Sequence, residues 1–170
     1  LMLAANVAAY RAWLVAGGDM PAMMAGHSLG EYAALCAAGS ISLSDATKLV
    51  RFRAQAMQSA VPEGVGAMAA ILGLSDADVI AACKDAEQGE IVEAVNFNAP
   101  SQVVIAGHRP AVKRAIEIAK LKGAKRGVLL PVSAPFHSSL LLPAAQKLQE
   151  YLKGVAIFAP KVHVIHNVDV

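Results

Sequence analysis

Charged residues are scarce in this chain, and so are aromatic residues and cysteines. Of its 170 residues, 16% are charged, 5% are aromatic and two are cysteines, while 56% are hydrophobic and the formal net charge is +2. A net charge this small does not indicate nucleic-acid binding. Two cysteines in apolar surroundings indicate buried free thiols rather than a disulfide framework. Because no signal-peptide pattern is visible either, we expect a cytoplasmic location.

Long uninterrupted hydrophobic runs are also missing. A membrane-spanning helix needs about twenty consecutive apolar residues. Charges and turn formers such as Arg11, Gly17 and Asp19 interrupt the apolar N-terminal region long before that length is reached. The high apolar fraction therefore indicates a globular protein with well-buried sheets, and neither a membrane protein nor a disordered chain is expected.

The most informative segment is residues 26–32, Gly-His-Ser-Leu-Gly-Glu-Tyr. It contains Gly26-x-Ser28-x-Gly30, the strand-turn-helix pattern of a nucleophile elbow. Small residues two before and two after the serine let the strand and helix backbones approach closely. The helix that starts beneath the serine offers N–H groups and a positive dipole end to a developing oxyanion. Ser28 is therefore the candidate nucleophile, and a chance glycine turn is the alternative.

A serine hydroxyl becomes a good nucleophile only when a neighbouring base takes its proton. His27 adjoins the serine, so its side chain is expected to diverge from it, and His108 is expected on the surface. His163 and His166 should point to opposite faces of a short strand, which argues against a metal pair. His137 lies in a stiff, proline-rich loop after a strand and is the candidate base. A loop histidine with no catalytic role is the alternative.

No acidic residue between the serine and this histidine lies at a clear strand end. The Ser, Asp or Glu, His order of ordinary α/β-hydrolases is therefore not evident. A catalytic dyad without an acid is the simpler interpretation. Glu31 is expected in the first turn of the elbow helix, where a carboxylate interacts favourably with the helix dipole.

Periodicity and turn residues predict alternating helices and strands, and so an α/β fold. Residues 64–132 show the order β-α-β-β-α-β, which is typical of a ferredoxin-like unit. We expect this unit to be an inserted small subdomain, with residues 1–63 and 133–170 forming an α/β-hydrolase-like core that is incomplete at both ends. The strand that precedes the elbow, 22–25, is expected to be buried.

Several motifs resemble a known family and occur in the family's order. They are the elbow segment, Leu49-Val-Arg-Phe-Arg53, Val95-Asn-Phe-Asn98, Ala134-Pro-Phe-His137 and, at the end of a strand, Asn167-Val-Asp-Val170. Together they resemble the malonyl-CoA:acyl carrier protein transacylases of fatty-acid synthesis. The acyltransferase domains of polyketide and animal fatty-acid synthases are similar as well.

The resemblance implies a role for each matching residue. Ser28 is expected to be the nucleophile and His137 the base. Arg53 is expected to pair with the free carboxylate of malonate, a task that suits a bidentate guanidinium. The N–H of Leu29 is the expected oxyanion donor, and Asn98 is a further expected substrate contact. In this family a backbone carbonyl orients the histidine, which agrees with the missing acid.

Two neighbouring residues bear on substrate choice. Phe136 before the histidine and Leu29 after the serine resemble the malonyl-selective members of the family. Methylmalonyl-selective members tend to have serine and glutamine at these places. A large ring leaves little room for an α-methyl group, although one methyl group accounts for only about 1–3 kcal/mol of discrimination.

The implied function is malonyl transfer from malonyl-CoA to the phosphopantetheine thiol of acyl carrier protein, in two steps through a malonyl-serine. The coenzyme A thioester is the substrate, the carrier protein is a transient partner, and neither a bound cofactor nor a metal is implied. The family's opening strand with its Pro-Gly-Gln-Gly-type loop and its C-terminal Gly-Pro-Gly-type turn have no counterpart here. The chain is therefore expected to cover the middle of a complete enzyme and to be weakly active or inactive alone.

Two other interpretations stay open at this point. The first is a serine hydrolase, such as a thioesterase, which predicts an acid partner for the histidine and no cation over the acyl pocket. The second is a non-enzymatic docking module for an acidic carrier protein. It is suggested by basic residues that an ordinary solvated helix face explains equally well: Arg109, Lys113, Arg114, Lys120, Lys122, Lys125 and Arg126.

Overall fold

The computed structural model of the protein describes residues 1–169. Helices and strands alternate along most of it. The helices are α1 (Met2–Val15), α2 (Leu29–Ala37), α3 (Leu43–Ala60), α4 (Asp76–Ala86), α5 (Arg109–Leu121) and α6 (Leu142–Leu152). The strands are β1 (Met23–Ala25), β2 (Gly66–Leu72), β3 (Val92–Ala99), β4 (Gln102–His108), β5 (Arg126–Leu129) and β6 (His163–Ile165). Short 3₁₀ helices cover Ser139–Leu141 and Asn167–Asp169.

Local sequence signals account for several of the helix boundaries. Ser42 precedes α3, and its Oγ accepts a hydrogen bond from the backbone N–H of Asp45 at 3.0 Å. Ser75 caps α4 in the same way through the N–H of Asp78. Both side chains satisfy a helix-terminal N–H that lacks an intrahelical partner. Helix α5 has proline in its first turn, where the missing N–H costs nothing.

The chain divides into two compact units. The first unit is Leu1–Ala54 with Gln149–Val170, and the second unit is Gln55–Leu148. The first unit has a parallel two-stranded sheet, β1 with β6, and the second has an antiparallel four-stranded sheet. The expected α/β class is thereby confirmed as a mixed α/β fold. Among the described residues, no helix is long and apolar enough to cross a lipid bilayer.

In the first unit, α2 packs against β1 and α1 packs against α2. A small core forms between the α2 region and the β6 region. It contains Ala34 of α2, Ala38 at the C-cap of α2, Val162 just before β6 and Val164 of β6, and Met24 of β1 packs against it. The expectation that the strand before the elbow is buried is only half met. Successive strand side chains point to opposite faces, so Met24 faces the core while Met23 is 57% exposed.

In the second unit the strand order is β3-β4-β2-β5, and each strand is antiparallel to its neighbours. Successive side chains of β2 point to opposite faces of this sheet. Ala69 and Ile71 join a core with α4 and α5. Met68 belongs to a cluster on which Phe136 packs. The sheet thus fixes the start of the loop that carries His137.

Two segments differ from expectation at their ends. Residues 64–132 were expected to end in a strand, but the last strand of this stretch, β5, ends at Leu129. The N–H of Val132 bonds to the carbonyl of Leu130 across a single residue, so the chain turns at Pro131. After β6 the chain forms a 3₁₀ helix at Asn167–Asp169 instead of a continued strand. Val170, the last residue of the motif noted there, lies outside the described residues.

Candidate active site

Ser28 lies at the turn between β1 and α2 with an unusual backbone. Its φ of 52° and ψ of −108° are outside the conformations that most residues adopt, and it is the N-cap of α2. Such strain persists only where the surroundings enforce it, and it is common at active sites. A Cβ added to Gly26 would lie 2.1 Å from the carbonyl carbon of Gly30, so the backbones touch there. This is the close approach that the elbow pattern predicts.

The second predicted site residue in this unit is Arg53, on α3. Its Nη2 donates a hydrogen bond to the Oγ of Ser28 at 3.0 Å. The same guanidinium lies over the ring of Tyr32, 5.7 Å from the ring centre, which is cation–π distance. Two contacts from α2 and its N-cap therefore hold the arginine head group beside the candidate nucleophile.

Tyr32 does not form an ion pair with Arg53, because its phenol is neutral. Burial raises the pKa of the Tyr32 phenol, and the nearby Arg53 charge opposes that shift without cancelling it. The phenol is therefore neutral at ordinary pH. The positive charge beside Ser28 is thus available to an anionic ligand.

Asn167 holds the elbow from the far end of the chain. Its Oδ1 accepts a hydrogen bond from the N–H of Ser28 at 2.9 Å, and its Nδ2 donates to the carbonyl of Gly26 at 2.7 Å. Asn167 belongs to a motif that is visible in the sequence, but the motif alone indicates no role for its side chain. The separation of 139 positions between Ser28 and Asn167 leaves no local signal for this contact.

Glu31 belongs to the same network. It lies in the first turn of α2, as predicted. Its Oε1 is 2.7 Å from the Nδ1 of His166, and its Oε2 accepts hydrogen bonds from Nδ2 and the backbone N–H of Asn167. Burial raises the pKa of Glu31, but the bonds from His166 and Asn167 outweigh it, so the pKa is lowered. Glu31 is therefore ionised at neutral pH.

His137 lies in the second unit, in the loop before the 3₁₀ helix. It is exposed and has a positive φ of 68°. Its neighbour Ser138 is buried, and the Oγ of Ser138 donates to the carbonyl of Pro135 at 2.8 Å. Glu93 of β3 accepts a hydrogen bond from the N–H of Ser139 at 2.7 Å. The loop is thus fixed on both sides of the histidine, and its pairing with Ser28 stays a prediction.

The other residues that were predicted to contact substrate are Leu29, Phe136 and Asn98. Leu29 is the first residue of α2, directly after Ser28. Phe136 is half-buried against the cluster around Met68 and Val104. Asn98 is exposed near the end of β3. The roles of these residues in substrate binding stay predictions.

The other histidines have different surroundings. His27 lines an open groove of about 680 Å³ between α1, β1 and α2, whereas the hydroxyl of Ser28 is turned towards Arg53. The Nδ1 of His108 accepts a hydrogen bond from the N–H of Ile91. Among the side chains that the structure describes, no three from His, Cys, Asp or Glu form a group that could hold a metal ion.

Comparisons with known proteins agree on one family. The acyl transferase domain model matches residues 1–170. A malonyl CoA-acyl carrier protein transacylase of Escherichia coli K12 is 56% identical over 169 residues, 99% of this chain and 55% of the relative. The crystal structure of an acyl-carrier-protein S-malonyltransferase from Burkholderia pseudomallei is 64% identical with a TM-score of 0.96, and the match covers 98% of this chain and 54% of that one.

A third match is a structure of a malonyl-transacylase in complex with a type II PKS acyl-carrier protein. It is 52% identical with a TM-score of 0.97, and the match covers 99% of this chain and 54% of that one. The chain thus spans about half the length of the relatives that it matches. Because the family model extends over all of its residues, the chain belongs to the acyl transferase domain family.

Proposed function

We propose that this chain carries the nucleophile and the acid-recognition residue of a malonyl-CoA:acyl carrier protein transacylase. The observation that carries the proposal is the hydrogen bond from Arg53 to the hydroxyl of Ser28. It puts a fixed cation beside a strained elbow serine, an arrangement suited to an acyl group that ends in a carboxylate. An ordinary ester hydrolase has no need of such a cation.

Arg53 recognises the free carboxylate of malonate in this proposal. A guanidinium has five N–H donors in a planar fork and can bind a carboxylate with two parallel hydrogen bonds. Its position over the ring of Tyr32, 5.7 Å from the ring centre, limits the orientations of the fork. Binding the distal carboxylate there holds the thioester carbonyl near Ser28, which lowers the entropy cost of the attack.

His137 acts as the base and Leu29 as an oxyanion donor. The hydroxyl oxygen of Ser28 accepts a hydrogen bond from Arg53, so its own hydrogen can be given to an imidazole. The N–H of Leu29 belongs to the first residue of α2. Backbone N–H groups at a helix N-terminus stabilise negative charge that develops on a carbonyl oxygen.

The reaction proceeds in two balanced steps. In the first, the hydroxyl proton of Ser28 passes to His137, Oγ bonds to the thioester carbon, and the carbon–sulfur bond breaks. The coenzyme A thiolate takes the proton from His137 and leaves as the thiol. In the second, the carrier protein's phosphopantetheine thiol gives its proton to His137 and attacks the ester. The bond between Oγ of Ser28 and the acyl carbon then breaks, and Oγ takes the proton from His137.

Phe136 and Asn98 complete the substrate contacts in this proposal. The ring of Phe136 packs against the cluster around Met68, so it has little freedom to make room for a larger acyl group. Malonyl is therefore preferred over methylmalonyl. The coenzyme A thioester is the substrate, and the acyl carrier protein is a transient partner in the cytoplasm. No permanently bound cofactor takes part.

We also propose the finer fold assignment that the sequence suggests. Residues 64–132 form a ferredoxin-like subdomain, which is supported by the element order β2-α4-β3-β4-α5-β5 and the strand order β3-β4-β2-β5. Residues 1–63 and 133–170 then belong to an α/β-hydrolase-like core, as the strand-elbow-helix arrangement around Ser28 suggests.

Mass spectrometry of the acyl intermediate tests the function. After incubation with malonyl-CoA, the intact enzyme that contains this chain should carry a malonyl group on Ser28, and its Ser28→Ala variant should carry none. The adduct should persist in water and disappear when carrier protein with a free phosphopantetheine thiol is added. An adduct that hydrolyses equally fast with and without carrier protein would instead establish a serine hydrolase.

A further inference from the structure

We propose that Asn167 is a positioning residue that sets the backbone of the nucleophile elbow. One amide side chain bridges the two peptide groups on either side of His27: it accepts from the N–H of Ser28 and donates to the carbonyl of Gly26. The inference rests on the proposed role of Ser28 as nucleophile and goes beyond it, because Asn167 touches no reacting atom in that mechanism.

The bridge matters because the backbone of Ser28 is strained. A φ of 52° with a ψ of −108° is a conformation that a chain leaves unless its surroundings hold it. A hydrogen bond to the N–H of Ser28 and one to the carbonyl of Gly26 fix the peptide planes that enter the turn. These planes set the direction of the Cα–Cβ bond of Ser28, and thus the place of its Oγ.

The orientation of the amide follows from its partners. The Nδ2 end faces two acceptors, the carbonyl of Gly26 at 2.7 Å and the Oε2 of Glu31 at 2.6 Å, while the Oδ1 end faces the N–H of Ser28. Only a side chain with donors at one end and an acceptor at the other satisfies all three. An aspartate of the same shape keeps the bond to Ser28 but turns a lone pair towards both acceptors.

Glu31 in turn fixes Asn167. Its carboxylate accepts both the side-chain and the backbone N–H of Asn167, and it is bonded to His166 as well. Glu31, in the first turn of α2, therefore fixes Asn167, which in turn fixes the elbow. The side chains of Glu31, His166 and Asn167 form one hydrogen-bonded network. Removing any donor from this network should alter the direction of Ser28 before it alters the fold of the unit.

The test compares Asn167→Asp and Asn167→Ala with Asn6→Ala, a matched asparagine control on the exposed part of α1. Reactivity of Ser28 is measured as the labelling rate with a small neutral fluorophosphonate, and malonyl transfer as kcat and KM. A misplacement of about 1 Å costs about 100-fold in rate. Both Asn167 variants should therefore lose about 10- to 100-fold in labelling and in kcat, with KM changed by no more than about threefold and Asn6→Ala at the wild-type level.

A second variant separates positioning from a general loss of structure. In the double variant Asn167→Asp with Glu31→Gln, the new amide on α2 can donate to the new carboxylate of the 3₁₀ helix. The bond between the two positions is then restored with donor and acceptor exchanged. This variant should label faster than Asn167→Asp alone by at least about threefold, because coupled residues recover part of a loss when both change. Melting temperatures of all variants are measured alongside.

Three results would overturn the inference: labelling and kcat at wild-type rates in Asn167→Asp, losses in proportion to the fraction unfolded, or no recovery in the double variant. The labelling readout needs no malonyl recognition. A full-length enzyme containing this chain that labels at Ser28 but transfers no malonyl therefore refutes the proposed function, and the labelling comparison still decides the role of Asn167.

Discussion

The Nη2 of Arg53 donates a hydrogen bond to the Oγ of Ser28 across 3.0 Å, with the two residues 25 positions apart in the chain. The guanidinium that is proposed to select the substrate and the hydroxyl that is proposed to attack it are therefore adjacent. A malonyl group is short, so a carboxylate held by Arg53 keeps its thioester carbonyl within reach of Ser28. Selection of the acid and orientation of the attack then depend on the same contact.

The first prediction concerns this contact. In the intact enzyme, Arg53→Ala should lower kcat/KM for malonyl transfer about 100-fold more than for acetyl transfer, because only malonyl loses a charged partner, a loss of roughly 2.8 kcal/mol. The malonyl-transfer activity of Arg53→Lys should lie between those of the unmodified protein and Arg53→Ala, since lysine keeps the charge but not the planar fork. Steady-state kinetics with both thioesters measures the difference.

Arg51 provides the matched control for that experiment. It lies two positions earlier on α3 and is exposed. Residues two apart on a helix face different directions, so Arg51→Ala should leave the ratio of malonyl to acetyl transfer unchanged. Equal losses for both thioesters in Arg53→Ala would refute the role in carboxylate recognition.

The second prediction compares the two glycines of the elbow. A Cβ at position 26 would lie 2.1 Å from the backbone of Gly30, whereas one at position 30 meets no atom within 4 Å. Gly26→Ala should destabilise the protein by about 1–3 kcal/mol or prevent folding, since the backbones must separate. Gly30→Ala should be neutral or stabilising by up to about 1 kcal/mol, because alanine suits a helix better. Urea unfolding of both variants measures this, and equal destabilisation would contradict the close approach at Gly26.

Much of this local structure was predictable from residue types alone. Gly26 favours the elbow because only a residue without a Cβ lets its backbone touch that of Gly30. Ser42 and Ser75 mark the starts of α3 and α4 through hydrogen bonds that span three residues. Signals of this kind act between near neighbours, so the sequence contains both partners within one short window.

The supporting contacts of the site were not predictable in this way. Asn167 and His166 reach Glu31 from more than 130 positions away, and Glu93 accepts from the N–H of Ser139 across 46 positions. The sequence placed Glu31 in the first turn of α2 for its dipole, which is correct but incomplete. Only the pairing of β1 with β6 brings its other partners to it.

The third prediction concerns the two free thiols. Cys83 was expected to be buried and is only 4% exposed, and burial raises its pKa to about 12. Cys36 was also expected to be buried but is partly accessible. Because the thiolate is the reactive form, iodoacetamide at about pH 8 should modify Cys36 well before Cys83 in the folded protein. Peptide mapping by mass spectrometry measures both rates, and denatured protein, in which both should react, is the control. Faster modification of Cys83 would contradict its burial.

The last prediction follows from the carboxylate of Glu31. Burial raises its pKa, but the bonds from His166 and Asn167 lower it below the usual value of 4.5 in the folded protein. A lowered folded-state pKa stabilises the protein above the unfolded-state value, and this contribution is lost as the pH falls through the folded-state value. Glu31→Gln should therefore destabilise the protein most above the usual glutamate pKa, with a difference in unfolding free energy that shrinks as the pH falls through the lowered folded-state pKa.

Glu63→Gln serves as the control for this pH dependence, because Glu63 lies exposed in the turn before β2. Urea unfolding at a series of pH values measures both variants against the unmodified protein. The Glu63→Gln difference should stay small throughout. If the Glu31→Gln difference stays constant or widens as the medium is acidified, the carboxylate is not held by the His166 and Asn167 donors. The elbow network would then need another source of its rigidity, because Glu31 is the residue through which α2 binds the 3₁₀ helix at Asn167–Asp169.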